Sequence, residues 1–261
     1  MQQLSWRDSA VREALSHIKQ HKPFCYGLTN YIAANLSANV LLAVGAGPAI
    51  GAVFDWQKVF GSHASAVWVN AACLMSNTAG EVRQAAQAAH HAGVPWVLDP
   101  VAVGAGAVEY DRVVQGLLEF RPTAIRGNAS ELIALAGGEG GGQGVETTLA
   151  SQEALPTIQA FSRRLGCITA VSGPTDYITD GDRTIFVEGG DARLTQVTGA
   201  GCSLGGLIAA FLSTSADPLT AVAAAHVVYA QASERASSAR GTGSFAVSFL
   251  DHLSLLDPHE A

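Results

Sequence analysis

The run Thr198-Gly199-Ala200-Gly201-Cys202 has the residue types and spacing of an anion cradle. It follows a short β-prone stretch, Leu194 to Val197, and opens an apolar segment, Ser203 to Leu212, that reads as a helix. Glycines at a helix entrance let backbone N–H groups turn toward a bound anion, and the positive end of the helix dipole favours it. The expected guest is a phosphate. Cys202, in the first helical turn, places a reactive side chain beside it. The same glycines also serve a plain steric turn, so the motif takes its meaning from its neighbours.

Three further clusters offer chemistry. Asp99 follows Val97-Leu98 and precedes Pro100; Asp-Pro forms turns, but a carboxylate at a strand end also holds Mg²⁺ through water. In Arg126-Gly127-Asn128-Ala129-Ser130-Glu131 the arginine offers a planar fork for phosphate. Asn128 and Glu131 have the spacing of a helix capping box, a role that leaves the glutamate able to reach water around a metal. Ser172 opens Ser172-Gly173-Pro174-Thr175-Asp176, where a hydroxyl serves either a nucleotide phosphate or the turn itself. Histidine supplies no HxH pair, and no metal is assigned to it. His226, in an alanine-rich helix, reads as packing.

Positioning these groups requires a scaffold of alternating strands and helices. Helices are expected over Leu4–His21, from Thr29-Asn30 to about Val44, Gly80–His91, Glu109–Phe120, Ser130–Ala136, Leu155–Leu165, Cys202–Thr214, Pro218–Arg235 and Phe245–Leu256. Strands are expected at Phe24–Leu28, Pro48–Val53, Ala66–Val69, Val94–Leu98, Thr123–Arg126, Cys167–Val171, Tyr177–Thr179 and Thr184–Val187. The glycine-dense stretch Gly137–Gly144 reads as a loop. Alternation of this kind implies a mostly parallel sheet with helices on both faces, in a single domain over 1–261. Ligands of such sheets sit beyond the carboxyl ends of the strands. Thr29-Asn30, Asn70, Asp99, Arg126 to Glu131, Ser172 to Thr175 and Thr198 to Cys202 all fall there, along one rim.

Composition narrows the class. Hydrophobic residues make up 48% and charged residues 14%, as expected where both sheet faces are covered. The formal charge of −7 argues against non-specific nucleic-acid binding, which needs a basic surface. The cysteines Cys25, Cys73, Cys167 and Cys202 are scattered without a CxxC pair, which suits a reducing cytoplasm. The first twenty residues lack the apolar core of a signal peptide. Gly45, Gly47, Pro48 and Gly51 interrupt the most apolar window, Val40 to Phe54, so no membrane span is expected.

Together the motifs resemble the hydroxyethylthiazole kinase family of the ribokinase-like superfamily. Leu98-Asp99-Pro100-Val101-Ala102-Val103-Gly104-Ala105, Ile125 to Glu131, Ala134 to Gly137, Asp176 to Gly181, Thr198 to Cys202, Gly243-Ser244-Phe245 and Phe249-Leu250-Asp251 carry the resemblance, in order and over nearly the whole chain. It implies a three-layer αβα sandwich and a homotrimer with active sites at subunit interfaces. It also implies ATP- and Mg²⁺-dependent phosphorylation of the primary alcohol of 4-methyl-5-(2-hydroxyethyl)thiazole, in thiamine salvage. By position, Arg126 and Ser172 match ATP-binding residues, and Gly199 and Ile50 match thiazole-binding residues. Asn30 belongs to the acceptor side. Asn128 and Glu131 match the superfamily's Mg²⁺-phosphate motif, with Asp99 nearby. Cys202 stands where most of the superfamily has a catalytic aspartate.

On that pattern the N–H groups of Gly199, Ala200, Gly201 and Cys202 hold the moving phosphoryl group, and Cys202 takes the substrate proton late. A helix N-terminus lowers a thiol pKa, while neighbouring phosphates oppose the thiolate. Departures cluster on the acceptor side. Tyr26-Gly27 replaces a usual His-Cys, Gly47-Pro48-Ala49-Ile50 a usual Ser-Pro-x-Met, and Asn70-Ala71-Ala72-Cys73-Leu74 a usual Asn-x-Gly-Thr-Leu. An acidic pair usual after the methionine is absent near Val53 to Trp56. Ser172 stands for a threonine and Pro174 for a glutamate. Two alternatives follow: a kinase of the same fold for another small or heteroaromatic alcohol, and a nucleotide-binding protein without turnover.

Overall fold

The computed structural model describes residues 1–137 and 151–260. The strands among them are β1 (Gln2–Gln3), β2 (Phe24–Leu28), β3 (Gly47–Ile50), β4 (Ala66–Asn70), β5 (Trp96–Asp99), β6 (Ala124–Asn128), β7 (Ile168–Ser172), β8 (Thr175–Thr179) and β9 (Thr184–Glu188). They form one sheet in the order β1-β9-β8-β7-β6-β5-β4-β2-β3. Only the β7–β8 and β8–β9 pairs are antiparallel. The remaining neighbours run parallel.

Helices α1 (Ser9–His21), α2 (Ala34–Val44), α3 (Trp56–His63), α4 (Ala79–Ala92), α5 (Val108–Gly116), α6 (Ala129–Leu135), α7 (Ser151–Leu165), α8 (Ala200–Leu212), α9 (Pro218–Arg235) and α10 (Thr242–Leu255) cover both faces. One core joins Val11, Val40, Leu207, Val222 and Phe249 to Trp68, Val97 and Ala170 of the sheet. The other joins Val82, Val114, Leu132 and Ile158 to Tyr26, Val67, Leu98 and Ile125. Strand residues alternate between the two cores with period two, and both sides are apolar because both are covered. This is the three-layer αβα sandwich expected.

Register places the polar strand ends together. Ile50, Gly27, Trp68 and Val97 form a row across β3, β2, β4 and β5. Two residues further along, on the same face, Asn70 pairs with Asp99, and Arg126 lies beside Ala170. Two more residues on, Asn128 pairs with Ser172. The period of two therefore turns Asn70, Asp99, Arg126 and Ser172 toward the layer that contains α8.

The structure corrects four expectations. Leu194–Val197 is not a strand; Ala192–Gln196 is a 3₁₀ turn. The Asp191 carboxylate accepts from the Arg193 N–H and from its guanidinium, which also donates to the carbonyls of Ser237 and Ala239. These local bonds outweigh β propensity. The first helix begins at Ser9 because Gln2–Gln3 pairs with β9 and the Leu4 N–H donates to Phe186. Helix α3 had no expected counterpart, and β3 ends at Ile50. The loop reading at Gly137–Gly144 lies, beyond Gly137, outside the described residues.

Candidate active site

Helix α8 begins at Ala200, and Gly199 precedes it with φ of 87°. A Cβ on Gly199 would also approach the Ala33 Cα to 3.0 Å, so glycine fits on two counts. No side chain caps the helix. The Ala200 N–H donates to Val197 and the Ser203 N–H to Gly199, which leaves the N–H groups of Gly201 and Cys202 facing outward from the first turn without a backbone acceptor. Behind them, Tyr229 donates from its hydroxyl to the Ala200 carbonyl at 2.7 Å and touches Ser203 Oγ at 2.8 Å. Ser203 donates to the same carbonyl. The anion cradle is thus pinned by a buried hydroxyl pair that the sequence did not disclose.

Arg126 ties this entrance to the sheet. Its Nε donates to Ser172 Oγ at 3.1 Å and its Nη1 to the Gly201 carbonyl at 3.1 Å. Nη1 also lies 3.5 Å from Asp99 Oδ2, which accepts from Asn70 Nδ2 at 3.0 Å. Asp99 is 1% exposed, and its Oδ1 has no hydrogen-bond partner among the described residues. Burial pushes its carboxyl up to about 7; Arg126 opposes that rise and Glu131 adds to it.

Cys202 is half-buried, with Sγ 3.9 Å from Asn30 Nδ2. Asn30 Oδ1 accepts from the Ala33 N–H and fixes the turn into α2. Burial first, then the Asp99 charge, raises the Cys202 thiol above its usual value. The net direction is opposite to the lowering expected from the helix N-terminus, because one helix end does not offset burial beside an acid.

Asn128 and Glu131 form the capping box of α6. The Glu131 N–H donates to Asn128 Oδ1, and the Asn128 N–H to Glu131 Oε2 at 2.8 Å. Glu131 Oε1 accepts from the Ala102 N–H at 3.0 Å. The motif is therefore structural in its first role, and it fixes the Asp99–Pro100 connection close to the arginine. Ile50 closes β3 beside Gly27. A Cβ at Gly27 would run into the Trp68 indole, so this position is glycine because Trp68 occupies the neighbouring space. Tyr26 faces the opposite core and donates to the Gly51 carbonyl, so this departure from the usual pattern does not line the acceptor side.

A cavity of about 600 Å³ opens beside the cradle, lined by Arg126, Ser172, Gly173, Asp176, Gly201 and His226 among others. The predicted residues thus divide in two. Arg126, Ser172, Ala200 and Gly201 line the cavity, while Asn30, Ile50 and Cys202 do not. His226 is not mere packing, as the sequence suggested: its Nδ1 lies 2.7 Å from Asp176 Oδ2. No periodicity distinguishes a histidine that packs from one that meets a partner fifty residues away. Asp176 carried the only signal, as a polar residue after a hairpin turn.

A mostly parallel αβα sandwich with an anion cradle at a late helix is the architecture of the ribokinase-like superfamily. A protein of that superfamily from Enterococcus faecalis has the same fold, with a TM-score of 0.66, 12% identity, and coverage of 98% of this chain and 96% of that one. The model of the hydroxyethylthiazole kinase family matches residues 15–259, and the chain belongs to that family. It is 61% identical to a hydroxyethylthiazole kinase of Burkholderia pseudomallei over all of this chain and 95% of that protein. The solved hydroxyethylthiazole kinase of Pyrococcus horikoshii superposes with a TM-score of 0.83 at 31% identity, covering 95% of this chain and 93% of that one.

Proposed function

We propose that this chain, as one kinase domain over 1–261, phosphorylates the primary alcohol of 4-methyl-5-(2-hydroxyethyl)thiazole with ATP, a step of thiamine salvage. The observation that carries the reading is the Arg126 clamp, which joins Ser172 at the cavity wall to Gly201 of the uncapped α8 entrance. The nucleotide occupies the cavity, with its terminal phosphate at the N–H groups of Gly201 and Cys202. The alcohol enters from the side of Asn30, Ile50 and Gly199. Its oxygen bonds to the terminal phosphorus as the bridging bond to the β-phosphate breaks. Little covalent work falls to the protein, which positions the groups and neutralises charge.

Arg126 offsets charge on the nucleotide. Cys202 lies beside the position of the acceptor hydroxyl and is held as a thiol in the free protein. To act as the base it must first release its own proton to solvent, and the thiolate then takes the alcohol proton late, once the alcohol oxygen has lost charge to phosphorus. Asp99 Oδ1, buried and unpartnered, suits a hydrated cation. Glu131 retains only lone pairs beyond its two backbone bonds. No group of three His, Cys, Asp or Glu able to hold a metal occurs among the described residues. Asp99 and Glu131 therefore fit Mg²⁺ held mainly by water and phosphate oxygens, where it would neutralise phosphate charge.

An apolar rim supports assembly as the homotrimer. Tyr31 and Ile32 after β2, Phe54 after β3 and Met75 after β4 are all exposed, Phe54 at 96%. These strands are neighbours, so the residues crowd one end of the sheet on the acceptor side. Exposed apolar clusters of this kind mark interfaces. Among the described residues no helix is long and apolar enough to cross a membrane. The free cysteines suit a cytoplasmic location.

The test is mass spectrometry of the protein with ATP, Mg²⁺ and the thiazole alcohol. Thiazole monophosphate is the expected product. Absence of product despite nucleotide binding would assign the acceptor site to another alcohol.

A further inference from the structure

His226 and Asp176 form a pair in the cavity wall that neither the cradle nor the phosphoryl transfer uses. His226 lies on α9 and is 1% exposed. Its Nδ1 meets Asp176 Oδ2 at 2.7 Å, while Asp176 Oδ1 accepts from the Gly173 N–H at 2.9 Å. An ionised carboxylate only accepts, so Nδ1 carries the proton of this bond. In the neutral ring that leaves Nε2 as an acceptor. Nε2 is buried and has no partner among the described residues.

A buried acceptor without a donor is costly, and its site is the wall of the cavity assigned above to the nucleotide. Phosphate oxygens cannot satisfy it, since they also only accept. On a nucleoside triphosphate the donors are the ribose hydroxyls and the base amino group. Placement separates these two. Tyr229, three residues further along α9, touches the Ala200 carbonyl at the cradle itself. His226 is about 4.5 Å from Tyr229 along the helix axis. The ribose follows directly on the phosphates, and the base lies further out.

We propose that His226 Nε2 accepts a hydrogen bond from a ribose hydroxyl of the nucleotide, with Asp176 as the positioning residue that fixes the tautomer and the ring. This rests on the nucleotide reading of the cavity and adds a discrimination to it. The protein prefers ribonucleotides because a deoxy analogue leaves Nε2 buried without a donor.

Binding of ATP, 2′-deoxy-ATP and 3′-deoxy-ATP, titrated without the thiazole alcohol, tests this. Wild-type protein is expected to bind at least one deoxy analogue about tenfold more weakly than ATP, the scale of one unsatisfied buried acceptor. His226→Leu should bind all three alike, and His226→Gln, which keeps an acceptor, should recover part of the preference. The wild-type comparison needs no variant to fold. Equal binding of the three by wild-type protein, or an unchanged preference in His226→Leu, would overturn the assignment. Failure to bind any of the three would instead remove the nucleotide reading of the cavity.

Discussion

Arg126 Nη1 donates to the carbonyl of Gly201 at 3.1 Å, joining the carboxyl end of β6 to the first turn of α8. The same guanidinium is hydrogen-bonded to Ser172, so three elements meet at one planar cation. Its orientation is fixed before any ligand arrives. A preorganised charge of this kind stabilises a transition state without reorganisation.

Arg126→Ala is therefore expected to lower kcat/KM for ATP roughly a hundredfold or more. Arg126→Lys should recover little, because an ammonium cannot reproduce the fork to Ser172 and Gly201. Steady-state kinetics with varied ATP checks both. An unchanged kcat/KM would take Arg126 out of the site.

Cys202→Ala should lower kcat while nucleotide affinity stays near wild type. Cys202→Asp should remain active, because a carboxylate accepts the same proton. The raised thiol gives an independent readout: Cys202 should alkylate more slowly at pH 7.5 than an ordinary exposed thiol. Removing the neighbouring charge with Asp99→Asn should speed that reaction. Turnover at the wild-type rate in Cys202→Ala would end its assignment as proton acceptor.

Asp99 predicts a pH dependence of stability. Its carboxyl is raised from the ordinary value of roughly 4 to about 7. Below that window the group is protonated in both states and costs nothing. As pH rises through it, the unfolded chain releases the proton first, so stability falls and the full loss stands above pH 7. Asp99→Asn cannot titrate and should lack the fall. Urea denaturation of metal-free protein should show the wild type losing on the order of 2 kcal/mol more stability than Asp99→Asn between pH 5 and pH 8. Mg²⁺ with nucleotide should flatten the wild-type curve, because a cation near Oδ1 favours the ionised form. Parallel curves for the two proteins would refute this.

Phe54→Asp should break the proposed trimer, since it puts a charge into the most exposed apolar position of the rim. Sedimentation should shift from a trimer of about 81 kDa, three times the 26.9 kDa chain, to smaller species. If active sites lie at the interfaces, KM for the alcohol should rise more than KM for ATP. A wild-type protein that sediments as a monomer would dispose of the interface.

Much was legible in the sequence because it is local. The order of strands and helices follows from apolar periodicity, and the Asn128/Glu131 capping box from a spacing of three. The glycine entrance to α8 was visible because few other residues adopt the φ of Gly199. The short helix α3 escaped because two turns hold too few positions to show a period.

What the sequence determined by itself is the set of rim residues and their strands. Which of them touch was decided by register and layer order, which no local pattern encodes. Asp99 reaches Arg126 because β5 and β6 are neighbours. His226 reaches Asp176 because α9 packs against β8, two elements far apart in the chain. Burial, too, is a tertiary property. It is the largest cause of the rise in the Cys202 thiol and the Asp99 carboxyl, because desolvation depends on everything packed around a charge and not on the residues beside it in sequence.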